Sequence, residues 1–183
     1  KELQDIIVDF ITKLISSGNL TEKQAEQAAG LMVVSNNIER IADRCDEVDG
    51  LYKKILDNGQ LLSDAAITDL TACMDMTEKL FSESMNAIIT GDSETPDKVA
   101  ADKKKIRKLQ RQAGKAHLAR VKKNICVRSL TADYSALLYS MDRMADNCIS
   151  IAEEAIDDFT FDKLDIENMD SDSEVKVKAG AQA

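Results

Sequence analysis

Seven residues in one long apolar-striped stretch recur 103 positions further along the chain. Residues 39–45 read Glu39-Arg40-Ile41-Ala42-Asp43-Arg44-Cys45, and residues 142–148 read Asp142-Arg143-Met144-Ala145-Asp146-Asn147-Cys148. Four of the seven positions are identical and two more are conservative. The same shift carries the flanking seam with it: Leu31 falls on Tyr134, Ile38 on Met141 and Val48 on Ile151. It also carries Leu3, Ile6, Phe10 and Leu14 onto Ile106, Leu109, Ala113 and His117. Self-similarity at a fixed offset means that one supersecondary unit is used twice, so each copy must bury its apolar side against a neighbour. The stretch from Ser63 to about Lys105 has no counterpart before Lys1, so the first copy is the shorter one here.

The unit is helical. Apolar residues recur three and four apart, as in Leu31, Val34, Ile38, Ile41, Cys45, Val48, Tyr52, Ile55 and in Tyr134, Leu137, Met141, Met144, Cys148, Ile151, Ala155. A third seam reads Ile67, Leu70, Met74, Thr77, Phe81, Ser84, Ile88. This spacing keeps one stripe on one helix face and suits antiparallel packing at shallow angles. Aromatics at 4% and a single proline leave little of the material from which sheets and their turns are built. Stop and start signals place five helices. The first covers about 1–16 and stops at Gly18-Asn19. The second starts after Thr21, which has capping-box spacing to Gln24, and ends at Asn58-Gly59. The third runs from Ser63 to Gly91. The fourth opens with Thr95 as N-cap and Pro96 at the first helical position, and reaches about Lys123. The fifth starts near Ser129 or Thr131 and ends near Phe159. The expected fold is all-α, an antiparallel helical bundle.

Net charge is −9. That weighs against a nucleic-acid backbone as partner, whose phosphates must be met by Lys and Arg, and against an anionic membrane surface. The longest apolar stretch, 28–34, is far too short to cross a bilayer, so direct membrane insertion is not expected. Cys45, Cys73, Cys126 and Cys148 form no Cys-x-x-Cys pair and have only His117 to assist them, which disfavours a Cys/His zinc site. Cys45 and Cys148 fall on apolar stripes, where a thiol is usually a small core residue. A reducing, cytoplasmic setting is expected. His117 aligns with Leu14 on an apolar stripe and is expected to be packed rather than catalytic.

Each copy of the repeated motif holds two carboxylates four residues apart, Glu39 with Asp43 and Asp142 with Asp146. On a helix these lie one turn apart on one face and repel by a few tenths of a kcal/mol. A bound cation would offset that repulsion, and hard oxygen donors suit Mg²⁺, Mn²⁺, Ca²⁺ or iron. An acidic chain also produces such pairs by chance on a solvated face, with Arg40 and Arg143 to screen them. Recurrence of the pair, with the same Arg and Ala inside it, puts a metal role on a par with the solvated face.

These motifs resemble the PhoU family of phosphate-uptake regulators, whose two three-helix repeats each carry an acidic Glu/Asp-x-x-x-Asp motif on the third helix. Glu39-Arg40-Ile41-Ala42-Asp43 and Asp142-Arg143-Met144-Ala145-Asp146 fit it, as does Gly91-Asp92 followed by the ladder Val99, Asp102, Ile106 and Leu109. The resemblance implies a PhoU-like helical domain over residues 1–159, with a partial first repeat at 1–57 and a second at 63–159, followed by an acidic tail at 160–183 expected to be disordered. It implies a non-enzymatic regulator of phosphate transport or signalling, with a metal ion (iron, zinc, manganese or magnesium) held by Glu39, Asp43, Asp142 and Asp146. The partner implied is a phosphate transporter or its membrane domain, and a homodimer is a further expectation. PhoU-like modules also occur as cytoplasmic C-terminal domains of sodium/phosphate cotransporters, and the shortened first repeat suits a piece of such a protein. One departure stands out. Where family members often carry another acid in the ladder, this chain has Lys103, Lys104, Lys105 and Arg107, read as solvated surface. The competing readings are a metal-free helical scaffold or dimerisation domain and a di-metal carboxylate enzyme. The enzyme is disfavoured by the lack of any Glu-x-x-His pair.

Overall fold

The structure is a computed structural model that describes residues 2–92 and 94–155. The expected acidic tail at 160–183 lies outside the described residues, as does the expected fifth-helix end near Phe159. Helices α1 (Glu2–Ser16), α2 (Glu22–Asp57), α3 (Asp64–Thr90), α4 (Thr95–Lys122) and α5 (Thr131–Ala152) follow one another, with a 3₁₀ turn at Arg128–Leu130 leading into α5. No strand occurs among the described residues. The all-α expectation holds.

Most boundaries follow from local chemistry. Thr21 forms the capping box: its hydroxyl accepts from the Gln24 N–H, while the Gln24 side chain accepts from the Thr21 N–H at 2.9 Å. Ser63 caps α3 through the Ala66 N–H, and Gly91 closes that helix at φ 67°, a left-handed conformation that a side chain would oppose. The start of α4 differs from expectation. Thr95 lies inside the helix, whose first turn has no side-chain cap, and Asp92 instead braces the turn before it, accepting from the Glu94 N–H at 2.9 Å and from the Thr95 hydroxyl at 2.6 Å.

Packing is organised around α5, against which α2, α3 and α4 all lie; α1 packs along α2. One core cluster joins Ile55, Leu70, Cys73, Ala113, Tyr134 and Leu137 at one end of the bundle. A second joins Leu80, Val99, Ile106, Ala145 and Cys148 in the middle, and a third joins Val34, Ile88 and Ile151 at the other end. These memberships make α3 parallel to α5, and α2 and α4 antiparallel to it. The Lys54–Asp133 ion pair, 2.9 Å, ties the end of α2 to the start of α5 accordingly.

The repeat is visible in this packing. Val34 shares a cluster with Ile151, and Val48 packs against the cluster that contains Leu137. The shift of 103 turns the first contact into the second, as an approximate two-fold between α2 and α5 requires. The symmetry stops at α1. On α4, Ile106, Ala113 and His117 are 0%, 3% and 1% exposed, because α3 covers them. Their counterparts Leu3, Phe10 and Leu14 on α1 are 69%, 65% and 38% exposed. An apolar groove of about 630 Å³ opens there, walled by Leu3 and Ile7 of α1, Leu31 and Val34 of α2, and Met85 and Ile88 of α3.

Two expectations about burial are corrected by this asymmetry. Cys45 is exposed, whereas Cys148 is wholly buried. The two occupy the same seam position, and only the second has a helix over it. On α3 the buried face runs through Ala66, Leu70, Cys73, Thr77, Leu80, Ser84, Ala87 and Ile88: Leu70, Thr77, Ser84 and Ile88 of the expected stripe are buried, whereas Ile67 is exposed, Met74 and Phe81 are only half-buried, and Cys73 and Leu80 are inside. A helix packed between two neighbours buries a broader face than one seam. Thiol chemistry reads the outcome directly. Burial pushes Cys73 up to about 11 and Cys148 up to about 12, and Cys126 is buried against Ser63. Mass spectrometry after alkylation of the folded chain at mildly alkaline pH is expected to show one adduct, on Cys45, and four after unfolding. A folded-state adduct on Cys148 in preference to Cys45 would contradict the packing described.

Candidate functional site

The acidic motif of α5 faces α4. Because the two helices are antiparallel, the i,i+4 pair Asp142/Asp146 is met by the i,i+4 pair Arg107/Lys103 in reverse order. Arg107 Nε lies 3.3 Å from Asp142 Oδ1, and Lys103 forms an ion pair with Asp146 Oδ1. Arg107 also reaches Asp146 Oδ1 at 4.0 Å. Arg143, inside the motif, lies 3.2 Å from Asp142 Oδ2 and 2.6 Å from Asp146 Oδ2, with its guanidinium 5.3 Å from the Tyr139 ring centre. All four carboxylate oxygens thus have a cationic nitrogen beside them. Burial, then the Arg107 charge, pull the Lys103 ammonium below the usual lysine range, against the opposite pull of Asp142. Next to this cluster, Asp102 bridges Lys105 at 2.6 Å and Lys79 of α3 at 3.3 Å. The Lys105 hydrogen bond leads in holding its carboxyl below the ordinary value.

The first-repeat motif is placed differently. Glu39 is half-buried at the rim of the apolar groove, and Asp43 is exposed. Gln4 stands where the repeat has Arg107 and donates instead to Asn36, at 2.6 Å. Among the described residues no three His, Cys, Asp or Glu side chains come together as a group able to hold a metal ion.

Sequence reasoning missed Lys103 and Arg107 as partners of the motif, reading them as solvated. The signal was available: two oppositely charged i,i+4 pairs on neighbouring segments whose apolar seams run antiparallel. Arg107 and four further basic side chains of α4, Lys104, Lys108, Arg111 and Lys115, line an open surface depression. His117 is packed in the core as expected, stacked on Tyr134 with ring centres 4.3 Å apart.

Three helices running up, down and up, with an acidic motif on the third turned toward the second, define a helical-bundle repeat unit. Within that class, the PhoU domain family model matches residues 70–155, a segment spanning most of α3, all of α4 and all of α5. Comparison with curated proteins and with solved structures yields no match. No helix among the described residues is long and apolar enough to cross a membrane.

Proposed function

We propose that this chain is a regulatory module in the control of phosphate transport, acting by seating a helix of the transport machinery rather than by bond-breaking chemistry. The PhoU domain at residues 70–155 is the observation that carries the phosphate assignment. The groove over α1 and α2 supplies the seat. Val34 and Ile88 belong to both the groove wall and the third core cluster, so an occupant would extend the existing core. In the second repeat the matching faces of α4 and α5 are covered by an amphipathic helix, α3. A helix with α3-like apolar spacing is therefore the shape that fits. Exposed Glu2 and Asp5 on α1 favour Lys or Arg at its flanks.

Phosphate uptake measured in cells of the source organism tests the reading. Loss of this chain is expected to change uptake or its response to phosphate supply, in either direction. The wild-type chain should restore the behaviour, and a Leu3→Asp/Phe10→Asp variant should not. Both positions are exposed, so the purified variant should melt like the wild type. Uptake indifferent to loss of the chain would sink the assignment; full restoration by the variant would sink the seat.

A further inference from the structure

We propose that protein cations, not a metal ion, neutralise the acidic motif of α5, so that Asp142 and Asp146 form an internal ion-pair lock between α4 and α5. This does not depend on the phosphate reading. A metal such as Mg²⁺ or Mn²⁺ needs about six oxygen ligands. Here each of the four oxygens of Asp142 and Asp146 already faces a nitrogen of Lys103, Arg107 or Arg143. A metal ion would enter beside three positive charges that the fold itself holds there.

The placement of Lys103 makes this a built feature rather than a surface contact. Its side chain is only 12% exposed. It sits one turn before the fully buried Ile106 and one turn after the fully buried Val99, at the second core cluster. An ammonium in that position is costly without a carboxylate beside it, and Asp146 supplies one. Arg143, three residues before Asp146 on the same helix, closes the motif from its other side. The motif of the first repeat has the neutral Gln4 in place of Arg107. The lock fixes the register of α4 on α5 within the matched PhoU domain.

Charge exchange tests the lock, and metal titration tests the alternative. The full chain is used throughout, with thermal melts read by circular dichroism and bound metal read by elemental analysis. Lys103→Glu and Asp146→Lys should each lower Tm by several degrees, and the double exchange should recover most of the loss. Lys103→Arg, which keeps the charge, should melt close to the wild type. Wild-type Tm should be unchanged by Mn²⁺, Zn²⁺, Fe²⁺ or Mg²⁺. The Lys103→Met/Arg107→Gln variant, with its carboxylates unmasked, should gain a Tm increase with Mn²⁺. Stoichiometric metal in the wild type that disappears in Asp142→Asn/Asp146→Asn would overturn the proposal. So would additive losses in the charge-exchange pair. Metal that survives in Asp142→Asn/Asp146→Asn would lie elsewhere in the chain and leave the lock standing.

Discussion

Ile106→Ala is expected to cost about 2–5 kcal/mol of stability, the range for emptying a buried aliphatic site, while Leu3→Ala, its counterpart in the repeat, should stay within about 0.5 kcal/mol of the wild type. Both residues sit at the same place on the second helix of a repeated unit. They differ in whether a neighbour exists. Ile106 touches the cluster of Leu80, Val99, Ala145 and Cys148, and truncation leaves a cavity that α3, α4 and α5 together cannot collapse. Leu3 already meets solvent, so its truncation removes little buried area. Urea denaturation at low protein concentration measures both. Equal losses would mean that the groove is filled in solution. A Leu3→Ala effect that grew with protein concentration would identify a second copy of the chain as the filler.

The contrast shows what a sequence carries and what it leaves to tertiary contact. Helix ends were legible because caps are local: Thr21 with Gln24, Ser63 and Gly91 satisfy backbone groups within a few residues. The repeat was legible because periodicity and identity coincide along α2 and α5, whereas their approximate two-fold emerged only from the packing. Burial was not, since Cys45 and Cys148 have equivalent surroundings on their own helices and differ only in what lies above them. The partnership of Lys103 with Asp146 spans 43 positions and depends on the register of α4 against α5. A charge run read alone looks solvated; only the facing helix shows that Lys103 turns inward and that Arg107, though exposed, reaches across to Asp142, while Lys104 and Lys108 turn out.

A second effect is expected below neutral pH, at His117. This is the chain's single histidine, 1% exposed and stacked on Tyr134 at an interplanar angle of 11°. Neither ring nitrogen has a hydrogen-bond partner among the described residues. Burial, and then the Arg120 charge, hold the imidazolium pKa below the ordinary histidine value. The unfolded chain therefore takes up the proton at a higher pH than the folded chain does. Stability is complete above the unfolded pKa of about 6.5 and falls as pH drops from there through the folded pKa. Paired carboxylates such as Asp102 have lowered pKa values, so their losses come at more acidic pH. Glu154 acts with the opposite sign, because burial, and then Glu153, raise its pKa and protonation there favours the folded state. His117→Leu installs the side chain that the first repeat carries at Leu14 and should flatten the decline between about pH 6.5 and 5. Glu154→Gln should leave that decline in place or steepen it. Urea midpoints collected across this range for the three proteins decide the matter: a His117→Leu profile that still falls as steeply as the wild type would remove the imidazole as the cause.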